Sequence, residues 1–196
     1  METLNLKCIG VKLWGDRQTW RRWRKTIQFM EKHGNMEANG LLDIGPSNQF
    51  GQKVADYFGL EYFHTTKDLN NPQYDRYPYR HFHRIVFFSH VIEHLYNPGT
   101  LLNYIKNIIY DDSQIFIMYP RTPRFLWNNR HFHEYSRKAF LSLIDYSGYE
   151  VVAYETHRGW HNWYFYFTGF RPFIRFWCTV FTWHNNEYYL LRLKDD

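Results

Sequence analysis

The chain has 196 residues, enough for one domain with a full core and too few for a second of ordinary size. Its 24 lysines and arginines stand against 19 acids, a formal charge of +5, and the pI is about 9.1. That excess admits phosphorylated, phospholipid or nucleic-acid partners without requiring any of them. Cys8 and Cys178 lie near opposite ends with no CxxC spacing, so neither a disulfide framework nor a structural zinc site is signalled, and a reducing, cytoplasmic setting is expected. The first residues lack the apolar core of a secretory signal. The most apolar stretch, 163–181, is broken by Arg171, Pro172 and Arg175, which excludes a spanning helix there.

In chain order, residues 16–33 predict an amphipathic helix with Trp20, Trp23, Ile27 and Met30 on one face and Arg21, Arg22 and Lys25 elsewhere, ended by Gly34 and Asn35. Such a helix covers one side of a sheet; a membrane or nucleic-acid contact is the minor reading. Leu41–Ile44 reads as a buried strand that enters a turn bounded by Gly45 and Gly51, after which Phe50, Val54 and Phe58 recur at helical spacing up to Gly59. A second strand spans about 60–65, and the polar, proline-bearing residues 66–83 form an abbreviated connection with room for at most one short strand. Arg84–Ser89 is the next strand. Asn97 then caps a helix with Pro98 at its first position and Leu101, Leu102, Ile105, Ile108 and Ile109 as its buried stripe. Gln114–Tyr119 is a strand stopped by Pro120, and Ser136 caps a helix that buries Phe140, Leu141 and Ile144 and leaves at Gly148. Glu150–Tyr154 and the run Trp163–Thr168 complete the sheet. Strands separated by helices of this length predict an α/β fold with a doubly wound, mostly parallel sheet, in which a terminal strand can pair antiparallel. The expected organisation is a single domain: a helical cap over 1–39, a core over 40–168 and an aromatic, basic tail over 169–196.

The turn after the first strand carries the clearest chemistry. Gly45 permits a tight bend, and the N–H groups of the loop and first helical turn can grip a polar ligand, one with a ribose and an adenine. An acid or hydroxyl about 20 residues on commonly holds the ribose, and Thr65, Thr66 and Asp68 lie in that window. Two other nucleotide readings weaken. Ser47 stands where GxGxxG needs its second glycine and the third is missing, and the Gly-Lys-Ser/Thr of a P-loop is absent.

Asp43-Ile44-Gly45, then Asp68-Leu69-Asn70, then Ser89-His90-Val91-Ile92-Glu93-His94-Leu95 with Asn97-Pro98 follow the order and spacing of class I S-adenosylmethionine-dependent methyltransferases. The chain resembles that superfamily over residues 40–157, with Val91-Ile92-Glu93-His94-Leu95 the most specific part. The run Tyr119-Pro120-Arg121-Thr122-Pro123-Arg124-Phe125-Leu126-Trp127, followed by His131-Phe132-His133-Glu134-Tyr135, is similar to small members that methylate saccharides or related surface molecules. The resemblance implies a Rossmann-like fold, S-adenosylmethionine as cofactor, and transfer to oxygen of a saccharide or other small-molecule acceptor. It implies that Asp43 and the loop residues Gly45, Pro46, Ser47, Asn48, Phe50 and Gly51 hold the methionine and ribose end. Thr65, Thr66, Asp68 and Leu69 would border ribose or adenine, and Ser89 and His90 would lie beside the methionine moiety.

Histidine is the natural base near neutral pH, which makes His90 and His133 the candidate catalytic residues, with His131 the second choice. Tyr119, Trp127, His131 and His133 are candidates to line the acceptor. Ser47 and Thr66 depart from the usual pattern and favour an alternative, a degenerate member kept as an interaction or membrane-docking module. A third reading takes His90-Val91-Ile92-Glu93-His94 as the H-x-x-E-H of a zinc peptidase. That motif needs both histidines on one helix, whereas a strand precedes His90 here and a helix starts at Asn97, so no metal is expected. Glu93 reads equally well as an anchor for neighbouring backbone amides, and His94 as a packed, hydrogen-bonded histidine. His131 and His133 share a face of an extended segment, with no third ligand identifiable, so a substrate-facing or solvated loop is preferred. In the tail, Arg171-Pro172-Phe173-Ile174-Arg175-Phe176-Trp177 suits a helix in a membrane interface or a homodimer contact, ahead of nucleic acid, for which no RNA-binding motif is present.

Overall fold

The computed structural model describes residues 17–65, 69–70, 83–123, 126, 131–158, 163–181 and 185–194. Six strands form one sheet: β1 (Gly40–Asp43), β2 (Glu61–His64), β3 (His83–Ser89), β4 (Ile109–Arg121), β5 (Tyr149–Arg158) and β6 (Asn185–Leu193), in the spatial order β2-β1-β3-β4-β6-β5. β1 pairs in parallel with β2 and β3, and β3 with β4; β6 enters antiparallel between β4 and β5. The sheet is α/β, mostly parallel and covered on both faces, as the alternation of strand and helix predicts.

The burial follows from the two-residue period of a strand. Leu42, Val86, Phe88, Ile115 and Ile117 pack on one face with α3 (Pro98–Ile105) and α4 (Arg137–Tyr146). Leu41, Ile85, Phe87, Phe116 and Met118 pack on the other with α1 (Arg17–His33) and α2 (Gln49–Phe58). On α1 it is Trp23, Ile27 and Met30 that are buried, the face expected to cover the sheet. The helix starts are those the sequence marks: the side chains of Asn48, Asn97 and Ser136 accept from the amides of Gly51, Thr100 and Ala139. Gly59 closes α2 at φ 68°.

Three expectations are corrected. Trp163–Thr168 is not a strand: Trp163–Phe167 is a 3₁₀ turn, and Asn185–Leu193, assigned above to the tail, is the strand that completes the sheet. The division at 168 is therefore not an edge of the core. Tyr188, Tyr189, Leu190 and Leu191 are all buried, a run covered on both faces and hence without alternation. Pro120 does not stop β4, which continues to Arg121 opposite β6. Met118 O accepts the His90 N–H, so alternation puts the Pro120 nitrogen on that same edge, beyond the last β3 residue, where no ladder bond is lost. The third correction is one of length, β5 running to Arg158 and not ending at Tyr154. The abbreviated connection over 66–83 lies largely outside the described residues.

Among the described residues no helix is long and apolar enough to cross a membrane. α5 (Phe170–Val180) is amphipathic, and Phe170, Phe173 and Trp177, with Phe181 just beyond, form an exposed stripe at helical spacing. The core role of β6 is tested by urea denaturation. Leu190→Ala, at a fully buried side chain, is expected to cost about 2–5 kcal/mol. Tyr146→Ala, at a side chain 96% exposed, should change stability by about 0.5 kcal/mol or less.

Candidate functional site

The carboxyl ends of β1, β3 and β4 lie side by side, and the segments that follow them form the site. Asp43 is the last residue of β1 and is 1% exposed. Asn48 Nδ2 and the Tyr62 hydroxyl both donate to its Oδ2, at 2.8 and 2.9 Å. Asn48 also caps α2 through Oδ1, which accepts the Gly51 N–H at 2.9 Å. One side chain thus ties the strand end to the helix start. Gly51 makes this packing feasible: a Cβ there would lie 2.1 Å from Asp43 Oδ2. Burial pushes the Asp43 carboxyl up to about 6, against the lowering effect of the Tyr62 and Asn48 hydrogen bonds and of His64.

Gly45 turns the chain at φ 138°, with Val91 close enough that a Cβ on Gly45 would meet it at 3.4 Å. Thr65 is buried, and its Oγ1 accepts the Gly45 N–H at 2.6 Å and donates to the Gly45 carbonyl at 3.1 Å. It braces the turn. Phe50, expected at the cofactor, is instead buried against Phe87, with the Arg22 guanidinium 4.7 Å from its ring centroid. Pro46, Ser47 and Asn48 are exposed and form the accessible rim of the loop. Leu69 packs against the core, and Asn70 Oδ1 accepts the Tyr96 N–H at 2.7 Å. Thr66, Asp68 and Trp127 lie outside the described residues.

Beyond β3, Ser89 and His90 are half-buried. His90 has φ 58°, a left-handed conformation that costs a residue with a side chain about 1 kcal/mol or more. Burial holds its imidazole below the usual histidine range, opposed by Glu93. Its Nε2 is buried without a hydrogen-bond partner. Ile92–His94 is a short 3₁₀ turn, so His90 and His94 do not share a helix, and the peptidase geometry is absent.

The segment 131–135 is fastened over that turn. The Glu93 carbonyl accepts the N–H groups of Phe132 and His133, at 2.9 and 3.2 Å. Glu93 thus anchors amides through its backbone and not through its carboxylate. His133 Nε2 lies 3.1 Å from the Tyr96 carbonyl, and its ring stacks on Tyr135. His131 packs edge-on against His94, with ring centroids 4.7 Å apart, and its Nδ1 is 3.2 Å from Glu134 Oε1. Glu134 accepts the Thr122 N–H at 3.0 Å; burial, with the charge of Glu93 adding, raises its carboxyl to about 8. Tyr119, expected against the acceptor, is instead fully buried, with Tyr135, Phe140 and Tyr189 around its ring, and belongs to the core.

Tyr62 and Glu134 were not among the expected site residues. The alternation of β2 places Tyr62 and His64 on one side of the strand, with His64 in register with Asp43, and that is the signal that could have found Tyr62. An open cleft between α4 and β5, lined by Arg137, Leu141, Tyr149 and Lys194, sits at the amino-terminal end of β5, away from these carboxyl ends.

No family model and no curated protein matches the chain. Solved structures do. A S-adenosylmethionine-dependent methyltransferase from Archaeoglobus fulgidus matches at 14% identity and TM-score 0.59, over 90% of this chain and 94% of that one. The cyclase SpnF matches at 12% identity and TM-score 0.60, over 93% and 87%. A Haemonchus contortus phosphoethanolamine N-methyltransferase 2, in complex with phosphomonomethylethanolamine and S-adenosylhomocysteine, matches at 12% and TM-score 0.56, over 89% of this chain and 53% of that one. The chain therefore has the Rossmann-like fold of the class I S-adenosylmethionine-dependent methyltransferases. At these identities the likeness shows the fold alone.

Two measurements test the packing at β1. Gly51→Ala is expected to destabilise the protein by about 1–3 kcal/mol, and adding Asp43→Ala should recover part of that loss, a coupling read from a double-mutant cycle. The raised Asp43 carboxyl means that the folded state holds a proton the unfolded chain has released. The contribution of Asp43 to stability is fully present below the ordinary value of 3.8 and is lost as the pH rises to about 6. In Asp43→Asn that contribution should be missing, so chemical denaturation across the same pH range should show a shallower fall than in the wild type, Glu134 still contributing.

Proposed function

We propose that this chain is a S-adenosylmethionine-dependent methyltransferase acting at oxygen of a saccharide or other small-molecule acceptor. The observation that carries the reading is the juxtaposition at one sheet edge of a buried acid, an exposed glycine-bounded loop and two histidines on the neighbouring segments. The residues fit the cofactor. Both hydrogen bonds to Asp43 converge on Oδ2, which leaves Oδ1 for a ligand, and the buried carboxylate is complementary to a donor with a sulfonium and an ammonium charge. Pro46, Ser47 and Asn48 form the open rim against which its ribose and methionine end would lie.

When bound, the donor supplies the methyl group; the chain supplies orientation, exclusion of water and a proton acceptor. His90 is the first choice for the base. Its Nε2 is buried and unpartnered, while the backbone contact to Met118 fixes where the ring starts. His133 spends Nε2 on the Tyr96 carbonyl, so its Nδ1 is the atom left for an acceptor hydroxyl. We further propose that α5 docks at a membrane surface; its exposed apolar stripe, with the exposed Arg171 beside it for anionic headgroups, supports that reading.

Calorimetry on the full chain should show saturable S-adenosylmethionine binding with a Kd between about 1 μM and 1 mM, weakened at least about tenfold in Asp43→Asn. Affinity should fall as the pH drops below about 6, where a proton takes the place of the cationic ligand on Asp43. Mass spectrometry should detect S-adenosylhomocysteine and a methylated product with a saccharide panel, reduced about 100-fold or more in His90→Ala. A folded protein that gives no binding heat overturns the reading.

A further inference from the structure

The sequence offers no third ligand to the histidines of the 131–135 segment, but the fold brings Glu93 and His94 to one of them, His131. Hydrogen bonds from Phe132 and His133 to the Glu93 carbonyl set that segment against the 3₁₀ turn after β3. Glu93, His94 and His131 are thereby gathered so that one ligand atom from each lies within 4.8 Å of the others.

Glu93 makes this more than a cluster. It is 1% exposed, and neither of its carboxylate oxygens has a hydrogen-bond partner. His90 Nδ1, at 3.5 Å from Oε1, is beyond ordinary N–H···O range. A carboxylate buried in this way costs several kcal/mol unless a cation or donors complete it. Two imidazoles beside one carboxylate form a ligand set suited to a divalent first-row transition ion, since imidazole ligands disfavour magnesium and calcium.

We propose that Glu93, His94 and His131 bind one divalent transition-metal ion of the zinc or cobalt type. The surroundings are those such a site needs. The Nδ1 of His131 faces Glu134 Oε1 at 3.2 Å, and Glu134 is itself held by the Thr122 amide. When Glu134 is ionised it accepts from Nδ1–H of His131 and leaves Nε2 for an ion, the carboxylate–histidine–metal relay of many metal centres. Ligand atoms about 2.1 Å from one ion can be at most about 4.2 Å apart, so side-chain rotations that bring the three atoms about 1 Å closer complete the site. Three protein ligands leave open coordination positions.

The set differs from the peptidase motif in its members. His90 is not in the set: the ligand atoms gathered within 4.8 Å are those of Glu93, His94 and His131. The ligands come instead from one short turn and from a segment distant in sequence.

The full chain, stripped with a chelator and desalted, is titrated with Zn²⁺ and, separately, with Co²⁺. About one equivalent of either ion is expected, read by elemental analysis after desalting and by the visible d–d absorption of Co²⁺. Glu93→Gln and His131→Ala should each abolish stoichiometric binding, and Glu134→Gln should weaken it about 10–100-fold. His90→Ala should retain the ion. Circular dichroism reports folding of each variant; if Glu93→Gln fails to fold, His131→Ala, which lies outside helix and strand, carries the same test. No stoichiometric ion on the wild-type chain, or equal Zn²⁺ affinity in wild type and the two ligand variants, overturns the proposal. So does loss of the ion in His90→Ala with His131→Ala unaffected. S-adenosylmethionine binding is measured in parallel on the metal-free protein, so failure of the metal site and failure of the methyl-transfer reading are read separately.

Discussion

The architecture of the site rests on one buried carboxylate at the end of β1. Asp43 sits where the Gly51 Cα approaches too closely for any side chain, and Asn48 and Tyr62 are both committed to its Oδ2. These contacts join the first strand, the loop, the second helix and the second strand through one oxygen atom. A charged group in that position opposes folding, as its raised carboxyl value shows. The loop geometry is therefore held by an acid whose charge is poorly compensated by the protein alone. The cationic ligand proposed above would compensate it, which would link the packing at β1 to binding.

The second half of the site is built by different means. Two backbone hydrogen bonds to the Glu93 carbonyl, together with the edge-on contact of His94 and His131, link the β3 turn to the 131–135 segment. The left-handed His90 redirects the chain at the strand end, and the short 3₁₀ turn then exposes the Glu93 carbonyl to the incoming amides. The sequence carries a motif that resembles a peptidase signature, yet its two histidines are separated by that redirection. Spacing along a chain predicts shared geometry only when the backbone between the residues is regular.

Much of the architecture was legible in the sequence because it is written in local signals. The buried face of α1, the caps at Asn48, Asn97 and Ser136, and the exit at Gly59 follow from periodicity and short-range hydrogen bonding. What escaped were features set by non-local pairing. Asn185–Leu193 has no alternation because it is inserted between two strands and covered on both sides, so its aromatics read as a tail. Pro120 read as a terminator because the end of its β3 neighbour is invisible in sequence. Phe50 and Tyr119 border the motif but point their rings into the core, and proximity to a motif does not separate packing from binding. The histidines and Glu93 were legible as chemistry, but the meeting of Glu93 and His94 with His131 was not, because non-local backbone hydrogen bonds set it.

The fold by itself leaves the reaction open. The same architecture is that of the cyclase SpnF as well as of methyltransferases, so function has to be argued from side chains at the sheet edge. Two acids distinguish that edge here. Asp43 is buried with donors on one oxygen, and Glu93 is buried with donors on neither. Domains of this kind are stable by only about 5–15 kcal/mol, and each uncompensated buried carboxylate consumes several of these. Packing alone would be better served by apolar residues at both positions. Their presence at adjacent strand ends is accounted for if each meets a positive charge in the working protein. On the two proposals made above, that charge would belong at β1 to an organic donor beside the glycine loop, and after β3 to an ion held with two histidines.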